Sequence, residues 1–469
     1  MKYTAILLLI ALFTCSSLQA SPLDYLFQDL DFSDEHLTSS HELLTSSHEL
    51  LTSSHELLIG QISNSAYDEA RATAKKLVSE VSDSDLDSLI LAKVLANSAI
   101  IELNWDLEEA INIVNQAIDL TEIINPFHKD LFGMLLIRAF AEEKLGDHTS
   151  TTDTLRRAQH ISHRHDGVYT RDQLPIIKSL ALINEDRGRL ESADREQRFR
   201  LKISEQAYGV NAEELIPTLE ELGIYFAKRG YSIPGILGQT DMNRIKLFRF
   251  SFKMYERAIA IIEDKYGPND LRLVSPLKGL SKAKFLLGSA KTNSRSAMER
   301  ATEIISNNPT TDTPDFARAI IDLADIYTMT QDSRAYETYQ HAWVLLSEKP
   351  EYEQLRYDAF AKPKWLHHDD FRPVLKRQPV GIDESTELFV EVEFDVLENG
   401  SVKNVEIIES NVPNDKKKSF RDSVRRIKYR PRLVDGNPRV TEGLSLYQTF
   451  VVHRPEPTVE TTSETGPET

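Results

Sequence analysis

The chain has 469 residues and a formal charge of −18, from 55 Lys and Arg against 73 Asp and Glu. That length predicts two to four domains, and 41% hydrophobic with 27% charged residues is a globular composition. Glycine (18) and proline (19) are too sparse for an all-β protein, and the acidity disfavours nucleic-acid binding over the whole surface.

Lys2 precedes an apolar run from Ala5 to Phe13, followed by the small and polar residues Thr14 to Ala20. This is the order of a secretory signal, too short to span a bilayer, so residues 1–20 are predicted to be a cleaved signal peptide. The expected address is the periplasm, with no transmembrane helix in the mature chain. Removing the segment takes away the sole thiol, Cys15. A second reading makes Cys15 a lipid attachment site, because Leu12-Phe13-Thr14-Cys15 shares a leucine and a cysteine with bacterial lipoprotein signals, although Phe13 and Thr14 fit poorly.

Residues 37–57 repeat Leu-Thr-Ser-Ser-His-Glu-Leu three times, with Leu37, Leu44 and Leu51 seven apart as a coiled-coil seam needs. Thr-Ser-Ser fills a helix poorly, so residues 21–62 are read as a low-complexity heptad repeat and spacer, or a frayed helix. His41, His48 and His55 fall near one helical stripe and could in principle hold a metal, against which stands the spacer or frayed-helix reading.

From residue 63 to 350 the pattern is amphipathic helices at a regular spacing. Turns at Trp105, Gly146, Gly188 and Gly230 lie 41, 42 and 42 residues apart. A small residue stands seven positions before each: Ser98, Ala139, Ala181 and Gly223. Further small residues follow at intervals of seven, as in Ala110 and Ala117, or Thr151 and Ala158. Helices approach closely only where side chains are small, so each unit reads as a helical hairpin with a tight seam. The next turn, near Gly288, comes 58 residues after Gly230, and Tyr208-Gly209 recurs as Tyr266-Gly267 at the same offset. A 16-residue insertion near 231–246 accounts for both; two more hairpins follow, through Leu323-Ala324-Asp325-Ile326-Tyr327 and Ala342.

The Trp105-Asp106-Leu107-Glu108-Glu109-Ala110 turn, the small residues seven apart and Tyr255-Glu256-Arg257-Ala258 resemble tetratricopeptide repeats, and the period of 42 resembles the longer, kinesin-light-chain-like variety. A HEAT-like helical solenoid is the alternative. The resemblance implies a groove for a partner protein or peptide, not a catalytic pocket.

Pro350, Pro363, Pro373 and Pro379 mark residues 351–384 as a linker. Then Leu388, Val390, Val392, Phe394 and Val396 alternate with Phe389, Glu391, Glu393 and Asp395, the pattern of a strand with one buried face. Asn399-Gly400 is a hairpin turn signal, and a second strand runs from Val402 to Ile408. A helix with Phe420, Val424 and Ile427 on one stripe precedes Tyr429-Arg430-Pro431, a turn at Asp435-Gly436 and a third strand. Residues 455–469 are rich in Pro, Glu and Thr and are predicted to be a disordered acidic tail.

The alternating first strand, Asn399-Gly400, Val402, Tyr429-Arg430-Pro431 and Asp435-Gly436-Asn437-Pro438 resemble the C-terminal domain of TonB-family proteins over residues 385–454. The fold class is therefore mainly α: a tetratricopeptide-like α-solenoid of about six hairpins, followed by a small α+β (β-β-α-β) TonB-like domain. The resemblance implies strand addition at an open sheet edge, with Leu444, Leu446, Tyr447, Gln448, Phe450 and Val452 as the partner-binding strand. It names TonB-dependent outer-membrane receptors or other envelope proteins as partners. Energy transduction is not implied, since a TonB transducer has an N-terminal membrane anchor where this chain has a signal-like segment.

Lys416, Lys417, Lys418, Arg421, Arg425 and Arg426 load one stretch with positive charge. They read as a solvated helix face, or as a basic dock for an acidic partner, anionic lipid headgroups or the peptide-bearing cell wall. No phosphate loop, zinc-protease helix or serine elbow is present, and neither His160, His163 and His165 nor His367-His368-Asp369-Asp370 has structural-zinc spacing. The chain is expected to be a non-catalytic interaction module without cofactor or metal; a component of TonB-dependent transmembrane transport is the alternative.

Overall fold

The computed structural model describes residues 41–82, 88–233, 241–288, 291–366, 374–375 and 387–452, with 41–50, 291–292, 374–375 and 451–452 in backbone only. The signal-like segment, the acidic tail and His367 to Asp370 lie outside the described residues. The chain divides into two compact units, Met1–Ala212 and Glu213–Thr469.

The first unit is built of consecutive helix pairs: α1 (His41–Ser63) with α2 (Tyr67–Ser82), α3 (Ser88–Glu102) with α4 (Leu107–Ile124), α5 (Leu131–Lys144) with α6 (His148–His165), and α7 (Gln173–Asp186) with α8 (Leu190–Tyr208). The spacing of small residues is the cause. Ser98, Ala139 and Ala181 are buried on the first helices, and Ala110, Ala117, Thr151, Ala158 and Ala193 on the second. Gly146 and Gly188 end α5 and α7 at φ 79° and 69°, a left-handed turn that glycine adopts without cost. Asp106 and Asp147 then cap the next helices, accepting from Glu109 N and from Thr149 and Ser150 N.

Of the two readings of the heptads, spacer or frayed helix, the described residues take the helix. The third copy lies in α1, where Leu51, Leu58 and Ile62 join Ala70, Ala74, Leu77, Val94 and Ile101 in one core. His55 is 2% exposed and its Nε2 lies 3.0 Å from Asn97 Nδ2 on α3. Leucine and histidine alternate at spacings of four and three, a seam that outweighs the poor helix propensity of Thr-Ser-Ser on the other faces.

The second unit continues with α9 (Ile216–Ser232) and α10 (Met242–Tyr266), α11 (Val274–Leu286) and α12 (Lys291–Ser306), and α13 (Thr313–Thr330) and α14 (Ala335–Leu345). The turn expected at Gly230 is absent: α9 runs through it to Ser232, and α10 is longer, at 25 residues, than the second helices before it. Gly230 serves packing instead, since a Cβ there would overlap the Phe248 ring. Gly223 and Gly279 likewise flank the Tyr255 ring, whose phenol burial pushes up to about 12. Ser251 Oγ donates to the Gly223 carbonyl at 2.7 Å, and Ser281 and Ser294 each donate to the other's carbonyl, which satisfies the seam's hydroxyls.

The segment expected to be a linker is partly built into the fold. After α14 comes a short helix, α15 (Glu353–Phe360), whose Phe360 is fully buried among Tyr339, Leu346 and Leu433. Then β1 (Lys364–Trp365) and β2 (Val374–Leu375) precede β3 (Leu388–Val396), β4 (Val402–Ser410), α16 (Asn414–Val424), β5 (Tyr429–Arg430), β6 (Arg432–Val434), β7 (Asn437–Arg439) and β8 (Thr441–Val452). The main sheet has the order β2-β8-β3-β4, while β1 pairs with β5 and β6 with β7. The main order β-β-α-β thus holds, with short strands added around it. Alternation in β3 sends Leu388, Val390, Val392, Phe394 and Val396 into a core with Phe420, Val424 and Ile427.

Candidate functional site

The C-terminal sheet and the last hairpin share a buried junction, built around Tyr429-Arg430. In β5 the two side chains point opposite ways, as strand geometry requires. Tyr429 enters the sheet core beside Phe394 and Trp365, with ring centroids 5.8 and 6.2 Å away. Arg430 enters the hairpin, where its Nε and Nη2 donate to the two oxygens of Asp325 on α13 at 2.9 and 2.7 Å. Its Nη1 donates to the Ala359 carbonyl at 3.1 Å. Tyr339 Oη on α14 donates to Asp325 Oδ1 at 2.7 Å, and Thr328 Oγ1 lies 3.1 Å from Tyr339 Oη. The fork of the guanidinium thus meets a carboxylate bidentately inside the protein, the strong form of this interaction. Burial pushes the Asp325 carboxyl up against the pull of Arg430, and pushes the Tyr339 phenol well above its ordinary value.

Around this pair the surfaces close tightly. Gly400, in the turn between β3 and β4, has φ 73°, and its N–H side faces Leu397 while its carbonyl accepts from Tyr429 N at 2.9 Å. Gly436, between β6 and β7, sits against Trp343 of α14. Tyr336 Oη donates to Asn437 Oδ1 at 3.1 Å, and Leu433 shares one core with Tyr339, Phe360 and Leu346.

β8 is the candidate contact strand. Its register against β3 runs from Leu388 opposite Phe450 to Val396 opposite Thr441. On its other side β2 pairs only with Val451 and Val452. Among the described residues, the backbone of Leu444 to Thr449 has no ladder partner on that side. The expected edge is therefore partly occupied: β8 lies between β2 and β3, and among the described residues its outer side is paired only at Val451 and Val452.

The six residues assigned to the partner divide between two faces. Leu444, Leu446 and Phe450 belong to the core side, Phe450 packing on Phe420 with ring centroids 5.8 Å apart. Gln448 is half-buried and donates to the Thr449 carbonyl. Tyr447 is on the outer face, 51% exposed and stacked on Phe389. Only the backbone of Val452 is described.

The basic stretch is also divided. Phe420, Ser423 and Val424 of α16 face the sheet. Lys416 pairs with Asp415 at 3.2 Å and Arg425 with Asp422 at 3.3 Å, while Arg426 donates to Ser423 Oγ at 2.9 Å. Lys417 and Arg421 are half-buried and Lys418 is exposed. Arg430, a few residues beyond this stretch, belongs to the interior instead. Its partner Asp325 was passed over as part of a hairpin marker. The available signal was a carboxylate beside the seam residue Ala324, inside an otherwise apolar helix stripe.

Three histidines near the end of α6 make different contacts: His160 with the Phe127 ring, His163 with Gln173 Oε1 at 2.7 Å and His165 with the Phe127 carbonyl at 2.5 Å. Among the described residues no group of three metal-binding side chains is gathered, and no helix is long and apolar enough to cross a membrane.

The chain is similar in structure to two solved proteins. BtubC (BKLC) from P. vanneervenii matches at 16% identity and a TM-score of 0.36, over 60% of this chain and 99% of that one. Yeast Tom70 matches at 15% identity and a TM-score of 0.27, over 73% of this chain and 69% of that one. No family model matches the chain, and no curated protein matches it. The chain is mainly helical, a succession of hairpins followed by a small sheet domain.

Proposed function

We propose that this chain is a non-catalytic protein-interaction scaffold of the bacterial cell envelope, whose hairpins hold one protein while the C-terminal sheet takes a strand from another. The observation that carries this reading is the run Leu444 to Thr449, which among the described residues has one side of its backbone without a ladder partner. An edge of that kind recruits an extended segment through main-chain bonds. The β-β-α-β order and the Tyr429-Arg430-Pro431 sequence support a TonB-like domain, and residues 1–20 support export. The envelope partners proposed are TonB-dependent outer-membrane receptors or other exported proteins.

The test is photocrosslinking in whole cells, with a photoreactive residue replacing Tyr447 on β8 or Lys418 on α16. The reading predicts a discrete protein captured from position 447 and not from 418. Capture of TonB-dependent receptors would assign the chain to transport, and capture of other exported proteins to a scaffold. Background capture at 447, or recovery of the chain with residues 1–20 from the cytosol, would overturn the reading.

A further inference from the structure

The face of the sheet opposite α16 carries a charge arrangement that works against the fold. The register of β3 and β4 sets Glu391 opposite Glu409 and Glu393 opposite Glu406. Like charges directly opposite one another destabilise a sheet. The ion pairs of this domain among the described residues are Lys416–Asp415, Arg425–Asp422 and Arg430–Asp325, so none involves these four carboxylates. A local conflict of this kind, held where the chain could have alternated its charges, is the mark of a surface kept for something else.

The carboxylates border the open run of β8. Glu391 lies opposite Tyr447 and Glu393 opposite Ser445, whose hydroxyl donates to Glu391 Oε1 at 3.3 Å. Loss of hydration, then the negative charge of Glu387, Glu409 and Glu391, pushes the Tyr447 phenol up. A strand added beside β8 would lie about 5 Å from it and about 10 Å from β3. A long cationic side chain on its outer face would then pass over the small Ser445 to Glu391 and Glu393. Its other face would cover Leu444 and Leu446, which are half-buried at the rim of the core.

We propose that the segment accepted at the β8 edge is basic, alternating apolar residues toward the helix side with lysine or arginine over the acidic face. The inference rests on the strand-addition reading and adds the chemistry of the partner. The positive charge of α16 on the opposite face fixes which side the cations take, because a strand inserted the other way round would bring like charges together.

The test uses the full chain and labelled nonapeptides that alternate valine with lysine, serine or glutamate, titrated by fluorescence anisotropy at low salt. The lysine peptide is expected to bind at least about fivefold more tightly than the serine peptide, the equivalent of two exposed ion pairs, and the glutamate peptide more weakly than either. In the Glu391→Gln, Glu393→Gln chain that gap closes while serine-peptide affinity is unchanged. N-methylation of alternate peptide amides abolishes binding. Equal affinity for all three peptides, still sensitive to N-methylation, overturns the charge selection and leaves strand addition standing. Binding indifferent to N-methylation, or none at all, overturns both. Salt-sensitive self-association that the Gln variant abolishes, with no peptide bound, overturns the proposal by giving the acidic face to α16 of a second copy.

Discussion

The Arg430→Met chain is expected to lose about 3–5 kcal/mol of stability in its C-terminal half, because Asp325 is left charged and buried without its partner. Urea unfolding followed by tryptophan fluorescence reads this directly, since Trp343 and Trp365 flank the junction. The loss should depend on pH with a definite sign. Burial already pushes the Asp325 carboxyl up, and removing the guanidinium pushes it further. In the folded variant the carboxyl takes up its proton at a higher pH than in the unfolded chain, where uptake comes only near about pH 4, so the variant regains stability as pH falls from 7 toward 5. Adding Asp325→Leu to Arg430→Met should recover most of the loss. What remains is the Tyr339 hydroxyl short of one acceptor and the Ala359 carbonyl short of the Arg430 donor, at about 1–3 kcal/mol. A single variant as stable as the parent would show that the pair is not buried as described.

The second large effect is expected at Gly400. Alanine there costs about 1–2 kcal/mol for the left-handed backbone alone. Its Cβ would also overlap the Tyr429 carbonyl oxygen and come within 2.8 Å of Thr328 Cγ2 on α13. Neither is the free end of a flexible side chain, so Gly400→Ala should destabilise by about 3 kcal/mol or more in the same unfolding measurement. Gly436→Ala is the control. It has nearly the same φ, but its nearest neighbour is Trp343 Cδ1 at 3.1 Å, an atom that can shift, and a loss of about half that size is expected. Equal losses at both positions would attribute the Gly400 effect to backbone conformation and remove the close approach between turn and hairpin.

These two residues also show where sequence reading succeeded and where it stopped. Local periodicity was legible. The alternation from Leu388 to Val396 gives the bounds of β3, and the small residues at intervals of seven lie in the hairpin seams. Asn399-Gly400 was readable as a turn because only its own dihedral angles were at stake. Its second use, as the point where β5 and α13 come close, involves residues far away in sequence. The same holds for Arg430 and Asp325, 105 positions apart, each unremarkable in its own neighbourhood. Gly230 was misread because a glycine opens a turn in one context and admits a neighbouring ring in another; Phe248 decides between them. For the heptads, spacer and frayed helix stay open in the sequence because propensity counts every face, whereas burial of Leu51, His55, Leu58 and Ile62 on one face favours the helix. The partial cover of β8 was invisible for a plainer reason: β2 is two residues long and carries no pattern of its own.

The most direct test of a fixed sheet whose β8 edge, among the described residues, is open from Leu444 to Thr449 is residue-resolved hydrogen exchange on the full chain without partner. The account predicts slow exchange of the Tyr429 amide, which donates to the Gly400 carbonyl, at a rate matching the interior of α13. From Leu444 to Thr449 it predicts alternation, with amides bonded to β3 slow and those on the other side fast. Uniform protection along that run would mean another part of the chain already fills the edge, and rapid exchange at Tyr429 would mean the β3–β4 turn is not fixed on β5; either result contradicts the account.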